Sequence, residues 1–147
     1  MARGTAEARK VDLRVVGDTG AEVRVPAGQS EVARALRNLL DNGVSHSPTG
    51  GVVTITVTAQ AGRVRIAVVD QGEGVSPEDA PHIFAAFYRG AKARSRDGAG
   101  TGLGLSIARE MALARGGDVV LDHEHRPGAR FALELPRIPA GSASGPA

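Results

Sequence analysis

The chain has 147 residues, which fits one domain, and 41% of them are hydrophobic, which is enough for a buried core. A net charge of +2, with only three Phe, one Tyr and no Trp, argues against a nucleic-acid-binding protein. The absence of cysteine excludes disulfides and thiolate chemistry and is compatible with the cytosol. No apolar run is long enough to span a membrane, and the N-terminus has no signal region.

The N-terminal part of the chain is predicted to contain two strands. Residues 1–10 are polar and charged, and we interpret them as a lead-in. Alternation of apolar and polar residues predicts strands at Asp12–Val16 and Glu22–Val25, joined by a glycine turn into a hairpin. Ser30 is predicted to cap the helix that follows.

The stretch Arg34–Pro48 predicts an amphipathic helix. Its apolar stripe, at helical spacing, consists of Val32, Leu36, Leu39, Leu40, Gly43 and Val44. Arg34, Asn38 and Asn42 are four residues apart and therefore line another face. Two amide oxygens on one side suit Mg²⁺, but because they carry no charge the ion would also need an anion such as a nucleotide triphosphate. The alternative is that both asparagines are simply solvated.

Two β-branched, alternating runs, Val52–Thr58 and Arg63–Asp70, predict a second hairpin. Asp70 ends the second strand and leads into a loop that contains Gly72 and Gly74. A carboxylate at a strand end can accept a hydrogen bond from an exocyclic amine, which would select adenine over guanine. The alternative is an aspartate that only forms a turn before a glycine-rich bend.

The rest of the chain is predicted to begin with a helical turn at 76–80 and an aromatic segment at 82–89, followed by a mobile basic loop at 90–100. A helix is predicted at 101–114, and a final hairpin is predicted from the strands 118–122 and 129–135. Gly43 inside the earlier helix favours close approach of another part of the chain. From Pro136 onward the composition of Pro, Gly, Ser and Ala predicts a disordered tail.

The glycines from Gly98 to Gly104 lead directly into a predicted helix. They let the backbone turn tightly and let phosphates reach its N–H groups, while the helix N-terminus adds free donors and a partial positive charge. No Lys-Ser or Lys-Thr follows the last glycine, so the segment is not a P-loop. It also lacks the strand-to-helix turn of a dinucleotide fingerprint. A flexible linker has the same composition, so this motif alone leaves both interpretations open.

Four segments together resemble the N, G1, F and G2 boxes of the catalytic ATP-binding domain of bacterial sensor histidine kinases. They are Asn38-x-x-x-Asn42, Asp70-x-Gly72-x-Gly74, Phe84-x-x-Phe87-Tyr88-Arg89 and Gly100-x-Gly102-x-Gly104-Leu105. Each box is weak alone, but the four in this order are highly specific. The resemblance implies the Bergerat fold, an α/β two-layer sandwich in which a mixed, largely antiparallel sheet carries helices on one face.

The resemblance also implies a role for each matched residue. Asn38 and Asn42 would be the catalytic asparagines on the Mg²⁺ side of ATP. Asp70 would accept the adenine amine within its glycine loop, and His46 would lie against the adenine ring. A lid over ATP would begin at Arg89. The phosphate-binding segment of the family corresponds to Gly100, Thr101, Gly102, Leu103, Gly104 and Leu105.

Two positions depart from the pattern of the family. Many members have Lys or Arg where this chain has Ser45, which puts one phosphate contact in doubt. The run His123–Pro127 superficially resembles a phosphoacceptor box, but it follows the ATP-binding boxes, so we interpret it as a turn.

The function implied by the resemblance is binding of Mg-ATP and transfer of the γ-phosphoryl to a histidine on a separate dimerisation and phosphoacceptor domain, with a response regulator downstream. The alternatives are an ATPase of the same superfold or a nucleotide-binding module without activity. Hydrolysing relatives carry Glu at the position of Asn38, and Asn cannot take a proton from water.

The expected domain organisation is a lead-in at 1–10, the ATP-binding catalytic domain at 11–138 and a disordered tail at 139–147. No phosphoacceptor helix or membrane segment precedes residue 10 in this sequence. We therefore expect it to be the cytoplasmic catalytic part of a larger, membrane-anchored kinase, unable to phosphorylate itself alone.

Overall fold

The computed structural model describes residues 10–17, 23–60, 62–86, 103–122 and 127–139. The elements in these ranges are strands β1 (Asp12–Gly17), β2 (Val52–Ala59), β3 (Arg63–Val69), β4 (Asp118–Leu121) and β5 (Arg130–Pro136), helices α1 (Gln29–His46) and α2 (Gly104–Ala114), and a 3₁₀ turn at Ala80–His82.

The five strands form one mixed sheet in the order β1-β2-β3-β5-β4. β1 is parallel to β2, and the other three pairs of neighbours are antiparallel. The predicted hairpins β2–β3 and β4–β5 are confirmed, because short connections between β-branched runs favour antiparallel pairing. The predicted mixed, largely antiparallel sheet is confirmed as well.

The predicted hairpin between Asp12–Val16 and Glu22–Val25 is wrong. β1 pairs in parallel with β2, with Asp12 opposite Val52, and residues 23–25 belong to no strand. Val25 instead packs against the core. Alternation indicates which face of a strand is buried, but it does not identify the partner strand.

Helix α1 begins at Gln29, and its N-cap is Gly28 rather than the predicted Ser30. The Gly28 N–H donates to Oε1 of Glu31 at 2.9 Å. A carboxylate at the third helical position that reaches back in this way satisfies an otherwise unpaired donor. Because Glu31 supplies the cap, Ser30 lies inside the first turn.

Both helices cover one face of the sheet. Their buried residues and the alternate residues of the strands form one core, which includes Ala35, Leu39, Val44, Val53, Val68, Ala108, Ala112, Val119, Phe131, Leu133 and Leu135. A Cβ on Gly43 would lie 3.4 Å from Val53 Cγ1 and 3.5 Å from Val68 Cγ1. Gly43 therefore lets α1 approach the sheet closely, as predicted.

Helices α1 and α2 lie side by side and run in opposite directions. Near the start of α1, Glu31 pairs with Arg115, just beyond the end of α2, at 2.9 Å. Farther along α1, Asn38 lies against Gly104, the first residue of α2. This arrangement places the second half of α1 next to the chain that leads into α2.

Two predicted boundaries differ from the structure. The helical turn predicted at 76–80 is a hydrogen-bonded turn that continues into the 3₁₀ segment Ala80–His82. Pro136, predicted to open a disordered tail, is the last residue of β5, where it lies opposite Arg63. No helix in the part of the chain that the structure describes is long and apolar enough to cross a bilayer.

Candidate functional site

Asp70 lies directly after β3 and is held by backbone hydrogen bonds. Only 2% of the residue is exposed. Its Oδ1 accepts the N–H of Gly72 at 2.9 Å and the N–H of Ala129 at 3.1 Å. The Asp70 N–H donates to the Ala129 carbonyl at 2.9 Å. The aspartate therefore forms the turn of the alternative interpretation, and its carboxylate is fixed in place at the end of β3, the central strand of the sheet.

Glycines surround Asp70 where other chain segments approach closely. A Cβ on Gly72 would overlap the carbonyl of His46, and one on Gly128 would overlap the carbonyl of Asp70. Gly74 has a φ of +80°, and a Cβ there would lie 2.9 Å from the Gly128 carbonyl oxygen. The G1 loop thus packs between the end of α1 and the start of β5. Sequence reasoning placed Pro127 and Gly128 in a turn but did not predict that Gly128 contacts Asp70.

The two asparagines of the N box lie on α1, as predicted. The Cβ and Cγ of Asn38 would lie 3.6 and 3.8 Å from a Cβ built on Gly104. The Nδ2 of Asn38 is buried and has no hydrogen-bond partner among the described residues. A buried, unpaired polar group costs about 1–3 kcal/mol. This amide is therefore suited to a polar ligand, and its oxygen and nitrogen are interchangeable by a flip.

Asn42 and His46 follow on α1 toward the G1 loop, and both are half-buried. The Ser45 hydroxyl donates to the carbonyl of Asn42 at 3.2 Å, so it is engaged within the helix. The carbonyl of His46 borders Gly72. The structure therefore brings the end of α1, the helix that carries the N box, next to the G1 loop.

The start of α2 offers backbone donors next to Asn38. Leu103 is the N-cap, and its carbonyl accepts the N–H of Ile107 at 2.9 Å and the hydroxyl of Ser106 at 2.9 Å. The first N–H groups of a helix have no partner within the helix, and the macrodipole adds positive charge there. Leu103, Gly104 and Leu105 are thus placed where an anion would be stabilised.

Several predicted site residues lie outside the described residues. These are the lid from Arg89, the remaining aromatic residues of the F box, and Gly100, Thr101 and Gly102. The dismissed phosphoacceptor-like run also lies outside them, except for Pro127. The predictions for these positions stay predictions.

The first residue of the F box, Phe84, is held by two contacts that sequence reasoning missed. Its ring meets Phe131 edge-on, with centroids 6.0 Å apart and an interplanar angle of 88°. The guanidinium of Arg109 lies 5.0 Å from the Phe84 ring centroid. No sequence signal identifies either partner, because the contacts join segments that are distant along the chain.

A cavity of about 200 Å³ lies beside the residues that hold Asp70. It is lined by Val75, Pro77, Ala80, Leu121, Asp122, Gly128 and Ala129. Between the helices, a second space of about 180 Å³ is lined by Glu31, Arg34, Ala35, Ile107 and Met111. Sequence reasoning located neither.

Acidic metal clusters are absent from the described ranges: no three His, Cys, Asp or Glu side chains there are placed to hold a metal ion. The sequence predicted the amide oxygens of Asn38 and Asn42 as Mg²⁺ ligands, and this stays a prediction. Such neutral oxygens suit Mg²⁺ when substrate phosphates supply the charge.

Comparison with known proteins identifies the class to which this site belongs. Residues 27–139 match the family described as histidine kinase-, DNA gyrase B- and HSP90-like ATPases. The chain belongs to this family, and its fold is the Bergerat fold of the histidine kinase ATPase domains.

Two relatives of this chain are sensor histidine kinases. SenX3 of Mycobacterium tuberculosis, a sensor-like histidine kinase, is 36% identical over 138 residues, which are 94% of this chain and 34% of SenX3. The sensor histidine kinase CusS of Escherichia coli K12 is 36% identical over 131 residues, which are 89% of this chain and 26% of CusS. The chain thus spans about a third or less of these relatives.

Two solved structures of histidine kinases also resemble this chain. The mycobacterial sensor histidine kinase MprB superposes with a TM-score of 0.79 at 29% identity, over 93% of this chain and 91% of that one. Full-length ShkA, solved in complex with AMPPNP, superposes with a TM-score of 0.75 at 29% identity, over 95% of this chain and 28% of ShkA.

Proposed function

We propose that this chain is the catalytic domain of a sensor histidine kinase, which binds Mg-ATP and transfers the γ-phosphoryl to a histidine on a separate dimerisation and phosphoacceptor domain. The observation that carries the proposal is the position of Asn38. Its amide nitrogen is buried without a partner among the described residues, and the side chain lies against the first residue of a helix whose N–H groups are available to phosphate.

The adenine end of the nucleotide belongs at Asp70. Its Oδ1 is occupied by the N–H groups of Gly72 and Ala129, which fix the direction of the carboxylate. A fixed acceptor discriminates between an amine donor and a carbonyl, because a mismatched group would leave buried polar atoms unpaired. We therefore propose that Asp70 accepts the exocyclic amine of adenine and that His46, nearby at the end of α1, borders the ring.

The phosphate end belongs between the two asparagines of α1 and the start of α2. Asn38 and Asn42 would hold Mg²⁺ through their amide oxygens, and the ion would neutralise charge on the phosphates. The free N–H groups at the start of α2 bind phosphate oxygens and orient them. Phosphoryl transfer depends mainly on such positioning and charge stabilisation.

The same residues favour transfer to a histidine over hydrolysis. A water nucleophile needs a general base, and Asn38 is neutral and takes no proton from water. A neutral imidazole is already nucleophilic, so a histidine acceptor needs no base from this chain. This chemistry separates the proposal from an ATPase of the same superfold.

We propose that the acceptor histidine lies on another domain of the same kinase. The proposal is supported by the partial coverage of the relatives, of which the chain spans about a third or less. A response regulator would receive the phosphoryl group next. The solved complex of the histidine kinase ThkA with the response regulator TrrA includes a chain that superposes on this one. ATP is supplied in the cytoplasm, and we place the domain there.

The test combines the purified domain, labelled ATP and a separately made phosphoacceptor domain. The expected result is labelled histidine, with negligible phosphate release when the acceptor is left out. The variant Asn42→Ala should bind Mg-ATP more weakly in calorimetric titrations and should lose transfer, while its unfolding transition stays in place. Brisk phosphate release without the acceptor would instead assign the chain to the ATPases, and unchanged Mg-ATP affinity of the variant would remove Asn42 from the site.

A further inference from the structure

Arg109 joins three separate elements of the fold. It lies in the second turn of α2, and its Nε donates to Oδ1 of Asp118, the first residue of β4, at 2.9 Å. Its guanidinium also lies 5.0 Å from the ring centroid of Phe84. Neither Arg109 nor Asp118 belongs to the four sequence boxes, so the resemblance assigns them no role.

The Phe84 contact continues into the part of the sheet that holds Asp70. Phe84 meets Phe131 edge-on at 6.0 Å. Phe131 lies in β5, two residues after Ala129, whose N–H is bound by the Asp70 carboxylate. One chain of contacts therefore runs from α2 through Phe84 to the strand beside the proposed adenine site.

The apolar contacts of α2 fix its orientation less strictly. Its buried residues Ala108 and Ala112 pack in the core with small, apolar side chains, and apolar burial has no preferred direction. Charge-assisted hydrogen bonds and cation–ring contacts are directional. Arg109 makes one contact of each kind, and so it limits rotation and sliding of α2 over the sheet.

We propose that Arg109 is a positioning residue for nucleotide binding. By fixing α2 against Phe84 and Asp118, it aims the free N–H groups at the start of α2, at Gly104 and Leu105, toward the phosphates. This inference rests on the proposed function, because it requires that the start of α2 binds the phosphates of ATP.

The weakness of each contact makes the inference testable. The side chains of Arg109 and Asp118 are 41% and 31% exposed, and ion pairs with this exposure add little to stability. Removing Arg109 should therefore leave a folded protein. The effect should appear in the binding of phosphates rather than in unfolding.

The chain also provides a matched control on the same helix. Arg115 pairs with Glu31 at 2.9 Å just beyond the other end of α2, and the side chains are 42% and 35% exposed. Arg109→Met and Arg115→Met thus each remove one arginine and one half-exposed ion pair. Of these two arginines, only Arg109 contacts the F box, through Phe84.

The experiment is calorimetric titration of the parent domain and both variants with Mg-ATP and with adenosine, which lacks phosphates. Arg109→Met should weaken Mg-ATP binding about tenfold, equivalent to about 1.4 kcal/mol, and leave adenosine binding unchanged. Arg115→Met should change neither affinity. Arg109→Lys should recover part of the Mg-ATP affinity, because the cation can still lie over Phe84.

Unchanged Mg-ATP binding by Arg109→Met would overturn the inference, as would an equal loss of Mg-ATP and adenosine binding, which indicates a general structural role. An equal loss of Mg-ATP affinity in Arg115→Met would overturn it too. Failure of the parent domain to bind Mg-ATP is a different result, since it would overturn the proposed function and the inference with it.

Discussion

Replacing Asp70 separates the structural role of this carboxylate from its proposed role in binding adenine. Its Oδ1 accepts two backbone N–H groups, those of Gly72 and Ala129. Asp70→Asn keeps a carbonyl oxygen for both donors and turns the second oxygen into an amino group. The fold should therefore lose little stability. An adenine amine would then face a donor instead of an acceptor, which should weaken ATP binding by about 1–3 kcal/mol.

Asp70→Ala removes the acceptor altogether. Each of the two N–H groups, in a site where Asp70 is only 2% exposed, would lose its partner. At about 1–3 kcal/mol for each unpaired group, the loss is about 2–6 kcal/mol. The free energy of unfolding of a whole domain is typically about 5–15 kcal/mol, so this loss would be a large part of it. The alanine variant should thus be far less stable than the asparagine variant.

The measurements are urea unfolding of the parent and both variants, and calorimetric titration of the folded ones with ATP and GTP. The parent should bind ATP and ADP better than GTP. Asp70→Asn should narrow this preference, because its amino group can donate to the carbonyl of guanine. Equal affinity of the parent for GTP and ATP would refute the adenine-reading role. Equal stability of the two variants would refute the structural role of Oδ1.

Two further predictions concern stability. Gly72→Ala should lower the free energy of unfolding in urea by about 1–3 kcal/mol, because its Cβ would overlap a backbone carbonyl. In the control Gly62→Ala, a Cβ meets nothing within 4 Å, and the free energy of unfolding should change by no more than about 0.5 kcal/mol. Equal effects of the two substitutions would contradict this reasoning. The hydrogen bond from the Gly28 N–H and, as the second largest cause, the hydrogen bond from the Arg115 guanidinium lower the pKa of Glu31 below its ordinary 4.5. The ionised Glu31 carboxylate therefore stabilises the fold above that pH, and this contribution is lost as the pH falls through the lowered pKa. Glu31→Gln should flatten the dependence of unfolding on pH in that acidic range, and an unchanged slope would show that this carboxylate contributes nothing.

The features that sequence reasoning predicted correctly depend on local patterns. Helical spacing placed Asn38 and Asn42 on one face of α1, and alternation with short connections gave the two antiparallel hairpins. In each case the interacting residues are close along the chain. Few competing arrangements satisfy the same pattern, and the prediction was confirmed for that reason.

The features that sequence reasoning missed depend on contacts between distant segments. The parallel pairing of β1 with β2 joins strands that are separated by the whole of α1. The second donor to Asp70 comes from Ala129, on the strand neighbouring β3 in space rather than in sequence. The pattern of hydrophobic residues along the chain does not identify such partners, because many pairings of segments would bury the same residues equally well.

The position of Asn38 shows how local and distant contributions combine in the site. The helical repeat alone puts its amide on the same face as that of Asn42, and it leaves open whether that face meets water. The antiparallel packing of α2 answers this, since Gly104 lies against Asn38 and the amide nitrogen is buried. A carboxylate at this position would be close to the partial positive charge at the start of α2, which stabilises an anion. We therefore expect the fold to tolerate either a neutral or an acidic side chain here. Under the proposed function, the identity of residue 38 then selects between transfer to a histidine and hydrolysis and is not a requirement of packing.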